Sequence, residues 1–80
     1  MQAKTANSPL HFAICLNNPG YEVSLQIGKL YRIIPDAAAA AHGYIRVIDE
    51  SGEDYAYAIA RFFPVALPQE VEDVLLLQAA

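Results

Sequence analysis

The sequence predicts a small, mainly β domain of five short strands, with an alanine-rich helical turn after the second strand and a helix at the C-terminus. Three observations carry that expectation. Short apolar runs rich in strand formers recur along the chain, each closed by Asn, Pro, Gly or Asp. Of the 80 residues, 55% are hydrophobic, among them three Phe and five Tyr, and only 18% are charged, which is the balance of a folding chain rather than a disordered one. Finally, a chain this short buries roughly two thirds of the surface it exposes when unfolded, so it has one core and no room for a second.

The elements follow in order. Residues 1–10 are polar and small, and read as a flexible arm. HFAICL (11–16) is an apolar run that fits a strand buried on both faces. Asn17, Asn18, Pro19 and Gly20 then concentrate turn chemistry. Val23, Leu25 and Ile27 alternate with polar residues up to Gly28, a bend. Lys29 to Ile34 is the second strand, with Tyr31 and Ile33 on one face and Leu30, Arg32 and Ile34 on the other, and Pro35 ends it. Asp36, five alanines, His42 and Gly43 make a two-turn helix, capped by the Asp36 carboxylate and stopped by glycine; a loop tolerant of alanine is the alternative.

YIRVID (44–49) is the third strand, with Ile45 and Val47 together on one side. ESGED (50–54) turns a hairpin into YAYA (55–58). A break near Ala60 precedes a fifth strand at Phe62–Leu67, in which Pro64 demands an edge position. After Pro68, QEVEDVLLLQ (69–78) is a helix with Glu70, Glu72 and Asp73 in its first turn. Its apolar face gathers Val71, Val74, Leu75 and Gln78, widened by Leu76 and Leu77.

A long first loop, a tight hairpin between strands three and four and a one-turn break before strand five resemble the SH3-like barrel. GKLYRIIPD (28–36) and YIRVIDESGEDYAYAIARFFPVAL (44–67) also resemble a group of small uncharacterised bacterial proteins, which brings no activity with it. The resemblance covers roughly residues 11–67 and implies a barrel over 11–68; the tail after Pro68 lies outside it, and residues 69–80 read from their own pattern as a helix that packs on the barrel or on a partner. Proline-rich peptide recognition is disfavoured, because the chain has no tryptophan and Tyr44 stands where that family places one. The proline and tyrosine which that family carries in the one-turn helix are also absent from Ala58-Ile59-Ala60-Arg61-Phe62.

Five Lys plus Arg against nine Asp plus Glu give a net charge of −4. Lys29, Arg32, Arg46 and Arg61 form no basic run, so neither nucleic acid nor an anionic membrane surface is an expected partner. The N-terminus MQAKTANSPLH has no apolar core of signal-peptide length, and no apolar stretch has membrane-spanning length. With the single thiol of Cys15, cytoplasmic residence is the expectation.

The catalytic candidates fail one by one. Cys15 beside His11 or His42 would make a thiol–imidazole pair, but inside an apolar strand a cysteine behaves as a small hydrophobe. Two histidines and one cysteine at these separations fit no recurring zinc spacing. Asp49, Glu50, Glu53 and Asp54 read as a solvated turn in which all four carboxylates share similar surroundings, leaving a weak cation site or an acidic docking patch as the sharper options. No cofactor and no catalytic residue is expected, and the chain does not read as an enzyme.

Two functional readings remain. The leading one is a small non-catalytic protein-interaction (adaptor) module, contacting a partner through Tyr21, Tyr31 and Tyr44 and through Val71, Val74 and Leu75 of the tail. Burying such tail side chains is worth about 1.5–3 kcal/mol each, so the tail is expected to dock, either on its own domain in a monomer or on a second copy in a homodimer. Tyr21, Tyr44, Tyr55 and Tyr57 fit an aromatic cage for a cation, and equally a tyrosine-rich core. The alternative is a regulatory domain that senses a small ligand or metal, with His42 and the Asp49–Asp54 turn as ligands.

Overall fold

Five strands form one antiparallel sheet: β1 (Phe12–Cys15), β2 (Leu30–Ile34), β3 (Tyr44–Ile48), β4 (Asp54–Ala58) and β5 (Phe62–Val65). This computed structural model describes residues 10–79, and among them two helices, α1 (Ala37–Ala41) and α2 (Gln69–Ala79), and one 3₁₀ turn (Ile59–Arg61) accompany the strands. The N-terminal arm expected over residues 1–10 therefore lies outside the described residues, apart from Leu10. The strand order is β4-β3-β2-β1-β5. The mainly β class is as expected, but the hydrogen-bonded ladder is not closed into a barrel: β4 and β5 end the sheet without pairing each other.

The local chemistry accounts for the elements. The Ala39 amide donates to the Asp36 carboxylate at 2.9 Å, so the expected N-cap of α1 is made. Gly43 leaves that helix at φ +81°, the left-handed conformation that ends helices and suits glycine. In the β3–β4 hairpin Ile45 pairs with Tyr57 and Val47 with Tyr55, with Gly52 at φ +86° in the connecting turn. Pro64 sits in β5, an edge strand as its missing N–H requires. β2 pairs with β1 through Leu30–Arg32 and with β3 through Ile33 and Ile34, so it carries the sheet from one ladder into the next.

One face of the sheet holds the core: Ala13, Cys15, Tyr31, Ile45, Val47, Tyr57 and Phe62, with Leu25 from the long loop and Ile33 packed against them. The Tyr57 and Phe62 rings, from the strands at opposite ends of the sheet, lie 6.0 Å apart across this core. The sheet therefore coils enough for its two ends to face each other through side chains.

Residues 23–27 depart from the expected alternation. Leu25 is fully buried, but Val23 is 91% exposed and Ile27 also faces solvent. The segment is a succession of turns rather than a strand, held by the Leu25 amide donating to the Tyr21 carbonyl at 2.9 Å and the Asn18 side chain donating to the Leu25 carbonyl at 2.8 Å. A chain that turns after Tyr21 sends one apolar side chain inward and lets its neighbours go.

The opposite face carries a smaller apolar patch on which α2 rests. Phe12 is buried there, and Phe12, Leu30 and Leu75 line one recess. The helix is rotated from the expected face: Glu72, Leu75 and Leu76 are the partly buried positions, whereas Val71, Val74 and Leu77 are exposed. His11 Nδ1 lies 2.9 Å from Glu72 Oε1, and this polar contact turns the acidic residue inward beside Leu75 and Leu76. No helix among the described residues is long and apolar enough to cross a membrane.

Candidate functional site

The aromatic residues expected on one contact surface are distributed over three places. Tyr31 is buried in the core; its hydroxyl donates to Glu50 Oε2 and accepts from the Gln26 amide at 2.7 Å. Burial, with the Glu50 carboxylate beside it, pushes that phenol far above its ordinary range, so it stays a protonated structural donor and its ring is not offered to a partner. Tyr44 is exposed at the start of β3, on the face opposite Ile45 and Val47. Val71 and Val74 point outward from α2, while Leu75 is half-covered against the sheet.

Tyr21 takes part in a different grouping. The long loop is tied to the β3–β4 turn by the Glu50 amide donating to the Ser24 carbonyl at 2.9 Å. That bond sets Tyr21 and Ser24 beside Asp49 and Ser51 of the turn and Tyr55, Ala56 and Tyr57 of β4, and these residues line an open recess of about 390 Å³. The Tyr21 and Tyr57 rings meet edge to face, with centroids 5.1 Å apart. Of the four tyrosines proposed as cage members, Tyr21, Tyr55 and Tyr57 therefore converge, and Tyr44 does not. On the Tyr21 ring lies the Arg61 guanidinium, 4.8 Å from the centroid, itself held by the Asn17 side chain at 2.8 Å.

Asp49 corrects the expectation that the turn's four carboxylates share one solvated environment. Only 6% of Asp49 is exposed, and it is the one charged or polar residue buried among those described. Oδ1 accepts from the Ser51 amide at 2.9 Å and the Ser51 hydroxyl at 2.6 Å, and Oδ2 accepts from the Tyr57 hydroxyl at 2.6 Å. Burial works to raise its pKa, but these hydrogen bonds outweigh it and hold the carboxyl below its usual range, so it is ionised at neutral pH. The Tyr57 phenol is pushed up to about 12 by burial and by Asp49, so it remains a donor. Among the described residues no Lys, Arg or His lies within ion-pair distance of Asp49.

Two of the three neighbouring carboxylates of the turn, Glu50 and Asp54, are committed elsewhere. Glu50 pairs with Lys29 at 2.6 Å, and Asp54 and Asp36 both pair with Arg46. His42 ends α1 rather than approaching the turn. Among the described residues no group of three or more His, Cys, Asp and Glu side chains converges as metal ligands would. Cys15 is fully buried in β1, with its thiol 3.4 Å from the Asn17 carbonyl. Burial pushes that thiol's pKa up, the reverse of what nucleophilic activation requires.

The sequence reading missed Asp49 as a buried anion and the place of Tyr55 beside it. The signal present was the Asp49-Glu50-Ser51 order, in which an aspartate accepts from the amide two residues on. Comparison of the chain with protein-family models, curated proteins and solved structures finds no match.

Proposed function

We propose that the domain is a small non-catalytic protein-interaction module whose contact surface is the tyrosine-lined recess between the long loop and the β3–β4 turn. One observation carries this reading: Tyr21 and Tyr55 are 43% and 51% exposed, yet they stand beside a buried anion on a backbone pinned by hydrogen bonds. Such aromatics offer large contact area with few rotamers to freeze, which is why tyrosine is enriched where interfaces gain their energy. The rest of the recess supplies hydroxyls and one carboxylate, a set suited to recognition rather than bond breaking.

We further read the sheet as SH3-like. Support comes from the strand order β4-β3-β2-β1-β5, the long β1–β2 connection, the 3₁₀ turn before β5, and the approach of Tyr57 to Phe62 across the core. The exposed outer face of α2, with Val71, Val74 and Leu77, is a second and separate candidate surface.

Affinity capture with the full chain tests the reading, set beside Tyr21→Ser/Tyr55→Ser and a form ending at Pro68. A partner retained by the full chain and the shortened form, and lost with the tyrosine variant, is the expected result. A partner lost only with the shortened form would move the contact to α2. A folded bait that captures nothing above the control would remove the interaction reading.

A further inference from the structure

We propose that the recess bounded by Tyr21, Tyr55, Tyr57 and Asp49 receives an arginine side chain presented by a protein partner. The inference rests on the interaction reading above and names the chemistry of the contact. Its basis is a charge without a counterpart among the described residues. Asp49 is buried and accepts three hydrogen bonds from neutral donors, and no cation of the described chain pairs with it. Glu53 adds to the same field: the Tyr55 hydroxyl lies 3.4 Å from its carboxylate, and the nearby negative charges of Glu53, Asp49 and Asp54 make that phenol harder to ionise. A cation entering the recess meets an anionic field and aromatic rings together.

The shape of the demand favours a guanidinium over an ammonium. Both Asp49 oxygens are already engaged, so the site offers charge and ring faces more than unused acceptors. A lysine ammonium is a compact, strongly hydrated point charge that loses more on leaving water. An arginine head is planar, more weakly hydrated, and stacks on aromatic faces. The chain already uses this contact once, with Arg61 over Tyr21, and Arg61 is not among the residues that line the recess.

The test is an NMR titration of the full chain with capped Gly-Arg-Gly peptide, followed at the tyrosine rings, with the citrulline, lysine and trimethyllysine counterparts alongside. The arginine peptide is expected to move Tyr21 and Tyr55 ring signals saturably with a Kd of order millimolar, and neutral citrulline, nearly the same shape, to bind about tenfold more weakly. Tyr55→Leu, at a half-exposed position, is expected to weaken arginine binding by about 3- to 10-fold with the fold intact. Asp49→Asn removes the charge while keeping an acceptor, and should abolish the preference for arginine over citrulline; if that variant does not fold, Tyr55→Leu decides alone. The proposal is overturned by no saturable shift up to roughly 50 mM peptide, by equal binding of citrulline, by tighter binding of lysine or trimethyllysine, or by indifference to Tyr55→Leu. If affinity capture still retains a partner in any of those cases, the interaction reading stands and only the arginine chemistry falls.

Discussion

The acidic turn and the C-terminal helix invert what their compositions suggest. Residues 49–54 carry four carboxylates, yet Asp49 is buried, Glu50 and Asp54 are paired with Lys29 and Arg46, and the turn is bonded to the long loop. The helix carries Val71, Val74, Leu75, Leu76 and Leu77, yet three of these five stand exposed. The difference shows that burial in these two segments follows hydrogen-bond partners at a fixed backbone position rather than apolar content. A carboxylate whose oxygens meet donors two and eight residues away in sequence is held at several points, whereas the helix rests, among the described residues, on one polar contact and part of one face.

The largest effect that would break this contrast is at Asp49. Asp49→Ala leaves the buried Tyr57 hydroxyl, and the amide of Ser51 in the exposed turn, without their acceptor. We expect a loss of about 2–3 kcal/mol in urea unfolding. Asp49→Asn keeps part of the acceptor capacity and should lose less. A loss for Asp49→Ala of no more than ~0.5 kcal/mol, the size of an ordinary surface change, would show that the turn is not held as described.

Acid sharpens the same point with a smaller effect. The folded pKa of Asp49 lies below its ordinary value near 3.8, so its contribution to stability is complete above that value and is lost as pH falls through the lower, folded one. The Glu50, Asp54 and Asp36 carboxyls are shifted in the same direction by their hydrogen bonds to Lys29, to Arg46, and to the Ala39 amide and Arg46 respectively. Stability should therefore fall below about pH 4, and the fall should be shallower in Asp49→Asn than in the native chain when both are followed by urea midpoints. Parallel curves for the two would mean that Asp49 titrates alike in the folded and unfolded states.

Much of the fold was legible because local chemistry and tertiary structure agree. Ile45 and Val47 alternate and both are buried; Asp36 caps α1; Pro64 lies on an edge. Legibility ended where a residue's surroundings come from distant parts of the chain. Alternation at Val23, Leu25 and Ile27 imitates a strand, but the turns after Tyr21 bury Leu25 alone. The recess requires the long loop to fold against β4, and nothing in the spacing of Tyr21, Tyr55 and Tyr57 specifies that contact. Tyr31 looked as available as Tyr21, because a sequence does not show which phenol will find a carboxylate across the core.

The smallest effects belong to the helix, where they separate its two faces. Leu75 lines the recess with Phe12 and Leu30 and is half-covered, so Leu75→Ala should cost about 1 kcal/mol, part of the value of a fully buried leucine. Leu77, 77% exposed, and Val74 should each change stability by less than ~0.5 kcal/mol on replacement by alanine, as at ordinary surface sites. A helix docked by the face first expected from its sequence would give the reverse for Val74, because Val74 would then share the burial of Leu75. Urea midpoints at two protein concentrations complete the comparison. If Val74→Ala or Leu77→Ala weakens only the more concentrated sample, that face is covered by a second copy, since stabilisation by association depends on protomer concentration.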